Sequence, residues 1–439
     1  MKKSPFFLLF PGLVIALLFH CGCTTGPLTP DGKRMLRVKS DFPGGSARIL
    51  RIDQTNRVVH LNPEPYPDKG WDCWWYFKLE GIEPGETIEL NVGNSVWATP
   101  DQAMLSVDNK TWKHTSPGER SRTRIVYRQT IDAKRAWFAW GPPFTKKHAR
   151  ELVASAARRS RAAHSHTPIK SRGGHGVPLV LFARPPIEGK AGVHIQARQH
   201  AWESGSSWVA KGLVDWLASD DPRAVSLLNK ATISVVPIMD LDSVEMGAGG
   251  KNQKPQDHNR DWSGDPHWPE VRAAQNAIKE ADEKGMFDLF IDLHNPAPGN
   301  RSPYFYVPPK ELLSEVGRTN LKHFIDCATA EITGPLKFEG KTIESGKSYD
   351  PNWAKISKNW VALNTSDHVV AVTLETAWNT PNSTQEGYMG VGRELGMSIE
   401  RYLDGARRPQ VYSAPPAASP ISPVRISIAL SNCGSLPAR

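Results

Sequence analysis

Residues 192–203 read GVHIQARQHAWE. Gly192 to Ala197 is a run of buried-strand type, and His200 and Glu203 follow directly where that strand ends. The pattern recurs downstream. His294 closes the run Met286 to Leu293, 91 residues after Glu203, and Glu375 closes the run Val369 to Leu374. Two imidazoles and one carboxylate, with a fourth position left to water, form the ligand set of a catalytic zinc site. A further acid such as Glu375 suits the base that this water needs.

Working outward, Val177 to Arg184 and Thr232 to Met239 are runs of the same type. Helical segments lie between them. Ser206-Ser207 can cap one helix with Leu213, Trp216 and Leu217 on one face, and Pro269 can open another, Glu270 to Lys284. Strands alternating with helices predict an α/β domain over 177–405, with a largely parallel or mixed sheet flanked by helices. In such sheets ligands gather beyond the carboxyl ends of the strands. His200, Glu203, Asp240, His294 and Glu375 all fall at or just after those ends. A lone His-x-x-Glu is a frequent chance pattern, ordinarily a solvated surface pair. Its place in a strand-to-helix loop, with a third ligand on another strand end, turns the reading towards metal.

Before this domain, residues 35–140 show short β-like segments broken by Gly, Pro, Asn and Asp, for example Ala47 to Ile52 and Thr87 to Val92. That predicts a small antiparallel β-sandwich. Trp71, Trp74, Trp75 and Tyr76 read as sandwich core, with a ligand-binding aromatic patch as the alternative. Residues 141–176 read as a helical connection, Lys147 to Arg161, followed by a loop, His164 to Gly176. Residues 406–439, rich in Pro, Ser and Ala, read as a disordered tail.

Residues 1–23 have the layout of a signal peptide: Lys2-Lys3, an apolar run from Phe6 to Phe19, then small residues. Cys21 or Cys23 stands where a lipoprotein would carry its lipid, so the expectation is an exported protein: periplasmic, secreted or held in the cell envelope by lipid. An uncleaved membrane anchor is the alternative. Cys73, Cys327 and Cys433 are far apart and imply no disulfide framework. The formal net charge of +9 is uneven, with a basic stretch from Lys146 to Arg172. No nucleic-acid motif accompanies it, so it reads as a solvated linker or helix face and no nucleic-acid partner is expected.

A second constellation is Asp257-His258-Asn259-Arg260-Asp261-Trp262. Arginine can grip a carboxylate through two parallel hydrogen bonds, asparagine adds a neutral donor, and an acid nearby can orient a metal-bound imidazole. A loop salt-bridge network is the plainer reading of the same residues.

With these pieces assembled, the chain resembles the zinc carboxypeptidases of the funnelin type, near the cytosolic-carboxypeptidase-like branch. The resemblance rests on Arg198 to Glu203, Asp257 to Trp262, Asp292-Leu293-His294 and Thr373-Leu374-Glu375-Thr376, in that order, and covers about residues 35–405. That branch also sets a small β-sandwich before its catalytic domain. The resemblance implies one zinc on His200, Glu203 and His294, with Glu375 as general base and acid. It implies Asn259 and Arg260 as binders of the substrate's C-terminal carboxylate, and Asp257 as the acid that orients His200.

Two departures stand out. The family carries an oxyanion-stabilising arginine upstream of the Asn-Arg pair, whereas residues 249–254 read GGKNQK. Lys251 is the substitute, as a point charge without the fork geometry. An unreplaced oxyanion donor costs about 3 kcal/mol, about a hundredfold in rate. The family's loop tyrosine is assigned to Tyr349, since Tyr304 and Tyr306 read as strand residues suited to packing. In addition, Ala201-Trp202 stands where Pro-Gly is common in the family, which predicts a reshaped pocket wall.

The sequence therefore predicts an exported zinc metallocarboxypeptidase acting on peptide or protein C-termini. The alternatives are a zinc amidohydrolase or deacylase of small N-acyl amino acids, and a catalytically impaired surface binding protein of the same fold. The preferred C-terminal residue and the oligomeric state are not legible.

Overall fold

The computed structural model describes residues 28–29, 32–297 and 299–406. The signal-type leader (1–23), Cys433 and all but the first residue of the Pro/Ser/Ala-rich segment lie outside the described residues.

The larger layer is an eight-stranded mixed sheet. Its centre is four parallel strands, in the spatial order Ala231–Val236, Ala191–Ala197, Leu289–His294 and Val370–Glu375. Every residue of the last three is buried. That explains their continuous apolar runs: a parallel strand covered on both faces has no solvent side on which to alternate. Antiparallel strands flank this centre, Leu179–Phe182 on one side and Tyr304–Val307 on the other. Ala163–His166 and Thr342–Glu344 form the edges. The strand Ala163–His166 overlaps the start of the stretch His164 to Gly176 expected to be a loop. Its backbone pairs with Leu179–Phe182 while two of its four side chains face solvent.

Helices Ser204–Leu217 and Gln385–Gly405 pack closely on each other. A Cβ at Gly212 would meet the Met389 carbonyl at 2.1 Å, and one at Gly392 would meet the Val209 carbonyl at 2.0 Å. Only glycine permits that approach. Helix Pro269–Glu283 opens at its proline, with Val271, Ala274 and Ile278 inward. Ser206 and Ser207 do not cap the first helix. Glu203 is its N-cap residue, and the two serines lie inside the first turns, donating to the carbonyls of Glu203 and Pro237. The helix thus starts directly on a metal-ligand candidate.

The N-terminal region folds into two five-stranded sheets. Phe77, Leu79 and Phe138 of one and Leu61, Ile88, Leu90 and Tyr127 of the other are fully buried. Pairing is antiparallel except between Val58–Asn62 and Glu86–Gly93, which run parallel. Trp74, Trp75 and Tyr76 belong to the sandwich core, whereas Trp71 is only partly buried. The core continues into the larger α/β unit. Trp140 packs on Trp202 and Trp378, with ring centroids at 5.1 and 4.6 Å. Truncating a core tryptophan to alanine costs about 3–5 kcal/mol, so this seam ties the two units firmly. Cys73 and Cys327 are buried free thiols. No described helix is long and apolar enough to cross a membrane.

Candidate active site

The strand Ala191–Ala197 ends in a left-handed turn at Arg198 (φ 65°). A non-glycine residue held there stores about 1–3 kcal/mol of strain. Arg198 is fixed by donating Nε to the Ala201 carbonyl (2.6 Å) and Nη1 to the Phe144 carbonyl (3.0 Å). The turn presents His200 and Glu203 at the sheet's carboxyl edge. On that same edge, strand register places His294 directly beside Glu375.

His200, Glu203 and His294 converge, each offering one ligand atom within 4.8 Å of the others, and all three are buried. Both Nδ1 atoms face the same carboxylate. His200 Nδ1 lies 2.7 Å from Glu203 Oε1, and His294 Nδ1 lies 2.7 Å from Glu203 Oε2. The far nitrogens are each held by another acid. His200 Nε2 is 3.5 Å from Asp257 Oδ1, and His294 Nε2 is 3.0 Å from Asp292 Oδ2. An acid behind each imidazole fixes the tautomer that directs the other nitrogen at a metal.

The electrostatics suit a cation at the trio. Burial opposes charge on Glu203, yet the two imidazoles outweigh it and hold the carboxyl down at about 2. Burial likewise disfavours charge on His294, but Asp292 and Glu203 raise it well above the ordinary imidazole range. Burial pushes Glu375 up to about 8; Glu203 adds to the rise, while His294 and Lys251 oppose it. Glu375 Oε2 is buried with no hydrogen-bond partner among the described residues. Four carboxylates thus crowd two imidazoles, and a divalent cation resolves that imbalance. The donor set, N₂O with the Glu375 carboxylate left uncoordinated beside it, fits zinc.

The remaining predicted residues line the same cavity, which has a volume of about 120 Å³ and opens to solvent. Asn259 Oδ1 accepts from the Ser357 backbone N–H at 3.0 Å. Arg260 Nε donates to Asp350 Oδ2 at 2.8 Å, and Nη1 donates to the Asn259 carbonyl at 2.9 Å. Lys251 Nζ sits 3.4 Å from His200 Nε2 and 3.7 Å from Asp257 Oδ2, so its charge is shared with the acid behind His200. Tyr349 is half-exposed at the cavity, its ring 5.1 Å from Tyr306, which lies 5.2 Å from Tyr304. Tyr304 and Tyr306 both line the cavity as well, so the role assigned to them as packing residues is too narrow.

Sequence reading missed three residues. Asp292 lies two positions before His294 on one strand, hence on the same face; that period was the available signal. Asp292 also accepts from Ser357 Oγ at 2.6 Å and Gln199 Nε2 at 2.5 Å. Asp350 had no signal beyond its place next to Tyr349. Lys358 is fully buried in the cavity wall, bonded to Ser345 Oγ and, at 3.0 Å, to Asn359 Oδ1. Burial, assisted by Arg260, pushes its ammonium down to about 7. Among the described residues no carboxylate lies within ion-pair distance of it. Trp71, read with its neighbours as sandwich core and alternatively as a ligand-binding patch, lines the cavity.

A mixed α/β sheet that gathers a His-Glu-His trio and a spare glutamate at one edge, with an arginine in the same cavity, defines a metallohydrolase architecture. The comparisons narrow this. Residues 38–140 match the model of the cytosolic carboxypeptidase N-terminal domain, and residues 148–375 match that of zinc carboxypeptidase. The chain belongs to the zinc carboxypeptidase family. It is 25% identical over 268 residues to an uncharacterized protein of Zymomonas mobilis, covering 59% of this chain and 67% of that one. It is 21% identical over 280 residues to human cytosolic carboxypeptidase 1, covering 53% of this chain; it spans only 23% of that protein's length. The crystal structure of a metallo-carboxypeptidase from Burkholderia cenocepacia shares the fold. That likeness has a TM-score of 0.72 at 21% identity, over 84% of this chain and 99% of that one.

Proposed function

We propose that the protein is a metallocarboxypeptidase that hydrolyses the last peptide bond of peptides or proteins. The observation that carries this reading is the convergence of both Nδ1 atoms on Glu203, with an acid behind each imidazole and Glu375 unpartnered beside them. His200, Glu203 and His294 would hold one zinc. Bound there, zinc lowers the pKa of water and polarises a carbonyl. Glu375 accepts the proton of the attacking water and delivers it to the leaving amine. Arg260 and Asn259 grip the terminal carboxylate, which an interior peptide bond does not offer. Lys251 supplies the positive charge nearest the oxyanion side, and Tyr349 closes over the substrate from the loop.

Lys358 favours a substrate whose last side chain is acidic. A buried ammonium without a carboxylate partner gains most from one that arrives with the ligand. Export through the residue 1–23 leader, with lipid on Cys21 or Cys23, is part of the proposal; mass spectrometry of the mature N-terminus tests it.

The test of the activity is hydrolysis of N-blocked dipeptides by purified protein. Turnover is expected to require about one zinc per chain, to stop on chelation, and to fail when the terminal carboxylate is amidated. Metal-free protein with full turnover, or equal turnover of the amide, would overturn the reading. The clamp touches only the terminal amino acid, so an N-acyl amino acid satisfies it too. Side-by-side rates on N-acetyl amino acids and blocked dipeptides separate a deacylase from a peptidase.

A further inference from the structure

The β-sandwich supplies part of the cavity. Its loop 68–71 is joined to the catalytic loop 250–254 by three backbone hydrogen bonds: Gly250 N–H to the Lys69 carbonyl (2.9 Å), Lys254 N–H to the Asp68 carbonyl (2.9 Å) and Trp71 N–H to the Lys251 carbonyl (3.0 Å). Contact is so close that a Cβ at Gly70 would meet the Lys251 carbonyl at 2.4 Å, and one at Gly249 the Trp71 carbonyl at 2.0 Å. Trp71 is therefore a fixed wall of the cavity, its ring 6.2 Å from Trp202, the neighbour of Glu203.

Trp97 extends that wall outwards. Its ring stands edge-to-face on Trp71, with centroids at 4.9 Å and planes at 84°. It is 52% exposed, while the turn that carries it is anchored on both sides. Arg120 Nη1 donates to the Val96 carbonyl and Trp140 Nε1 to the Ala98 carbonyl, both at 2.6 Å. An anchored turn that leaves a tryptophan half in water, in contact with a cavity wall, presents a ready aromatic surface.

We infer that Trp71 and Trp97 form a subsite for the substrate residue before the scissile bond, and that it takes an aromatic side chain. This rests on the carboxypeptidase reading. With the terminal carboxylate at Arg260, the chain must cross the metal trio and leave past the His200–Glu203 segment, where Trp71 and Trp202 line the cavity. An aromatic side chain there meets Trp71 in the cavity wall and the exposed ring of Trp97 beside it, through the offset or edge-to-face contacts that such rings prefer. The N-terminal domain is then a determinant of specificity as well as a structural partner.

The test compares two N-blocked dipeptides with the same last residue, one with phenylalanine and one with glycine before it. The native protein is expected to favour phenylalanine about tenfold in kcat/KM, and Trp97→Ala to bring that ratio below about threefold. Trp97→Phe, which keeps a ring, should restore most of it. A native ratio near one, or one that Trp97→Ala leaves intact, overturns the inference. The same peptides are titrated calorimetrically into zinc-loaded Glu375→Gln protein. If the native protein turns over neither peptide yet this variant binds the phenylalanine peptide about tenfold more tightly, the subsite stands and the peptidase reading falls. Absence of that binding preference overturns the subsite on its own.

Discussion

Arg260 Nε donates to Asp350 Oδ2 at 2.8 Å, so the residue that would hold the substrate's carboxylate is itself held by the neighbour of Tyr349. One ion pair links the clamp to the loop tyrosine. Asp350 is about a fifth exposed, while Arg260 is mostly buried. Among the described residues Arg260 Nη2 makes no hydrogen bond, which leaves it available for a ligand on the cavity side. The loop and the clamp should therefore act together.

Asp350→Asn should loosen both. A charge-assisted hydrogen bond is worth about 1.5–3 kcal/mol, less at a partly exposed site. Steady-state kinetics should show KM rising about five- to tenfold, with kcat changed less than about threefold. An unchanged KM would mean that Arg260 is positioned by the Asn259 carbonyl alone.

Lys358 gives a pH signature. Its ammonium titrates at about 7, and an acidic side chain beside it would raise that value in the complex. Affinity for acidic termini is then fully present below about pH 7 and is lost as pH rises above it. The loss is about tenfold per unit until the raised value is reached. The ratio of kcat/KM for glutamate- over alanine-terminated peptides should fall between pH 7 and 8, and Lys358→Met should flatten it. A ratio independent of pH in the native protein contradicts this role.

Asp292→Asn should weaken metal binding more than it disturbs the fold. Removing the acid behind a metal-bound histidine typically costs ten- to a hundredfold in affinity. Competition with a chromophoric chelator should show that drop, with Asp257→Asn giving a like effect through His200. Native-like zinc affinity in both variants would remove the acids from the account.

Much of this was legible in the chain, for a physical reason. Gly192–Ala197 and Val369–Leu374 are buried on both faces, so their composition is continuous and their ends are visible; the site sits on those ends. The helix start was misplaced because Ser206 and Ser207 look like capping residues, whereas the helix begins one residue after Glu203. Lys358 and Asp350 carry no local pattern, since burial and charge pairing depend on chain segments far apart. The Trp140–Trp202–Trp378 seam joins residues up to 238 positions apart, and composition cannot show which tryptophans meet. Trp71 illustrates the limit: it sits three residues from Trp74, yet one lines the cavity and the other fills the sandwich core.

Glu375, beside a zinc held by His200, Glu203 and His294, is the proposed catalytic base. The direct measurement is single-turnover hydrolysis of an N-blocked dipeptide by zinc-loaded native protein and by Glu375→Gln at equal zinc content. A positioned general base contributes about 10²–10⁴ in rate. The native protein is expected to turn over, and the variant to keep its zinc but lose at least about a hundredfold in rate. A variant that hydrolyses the peptide at the native rate would contradict it.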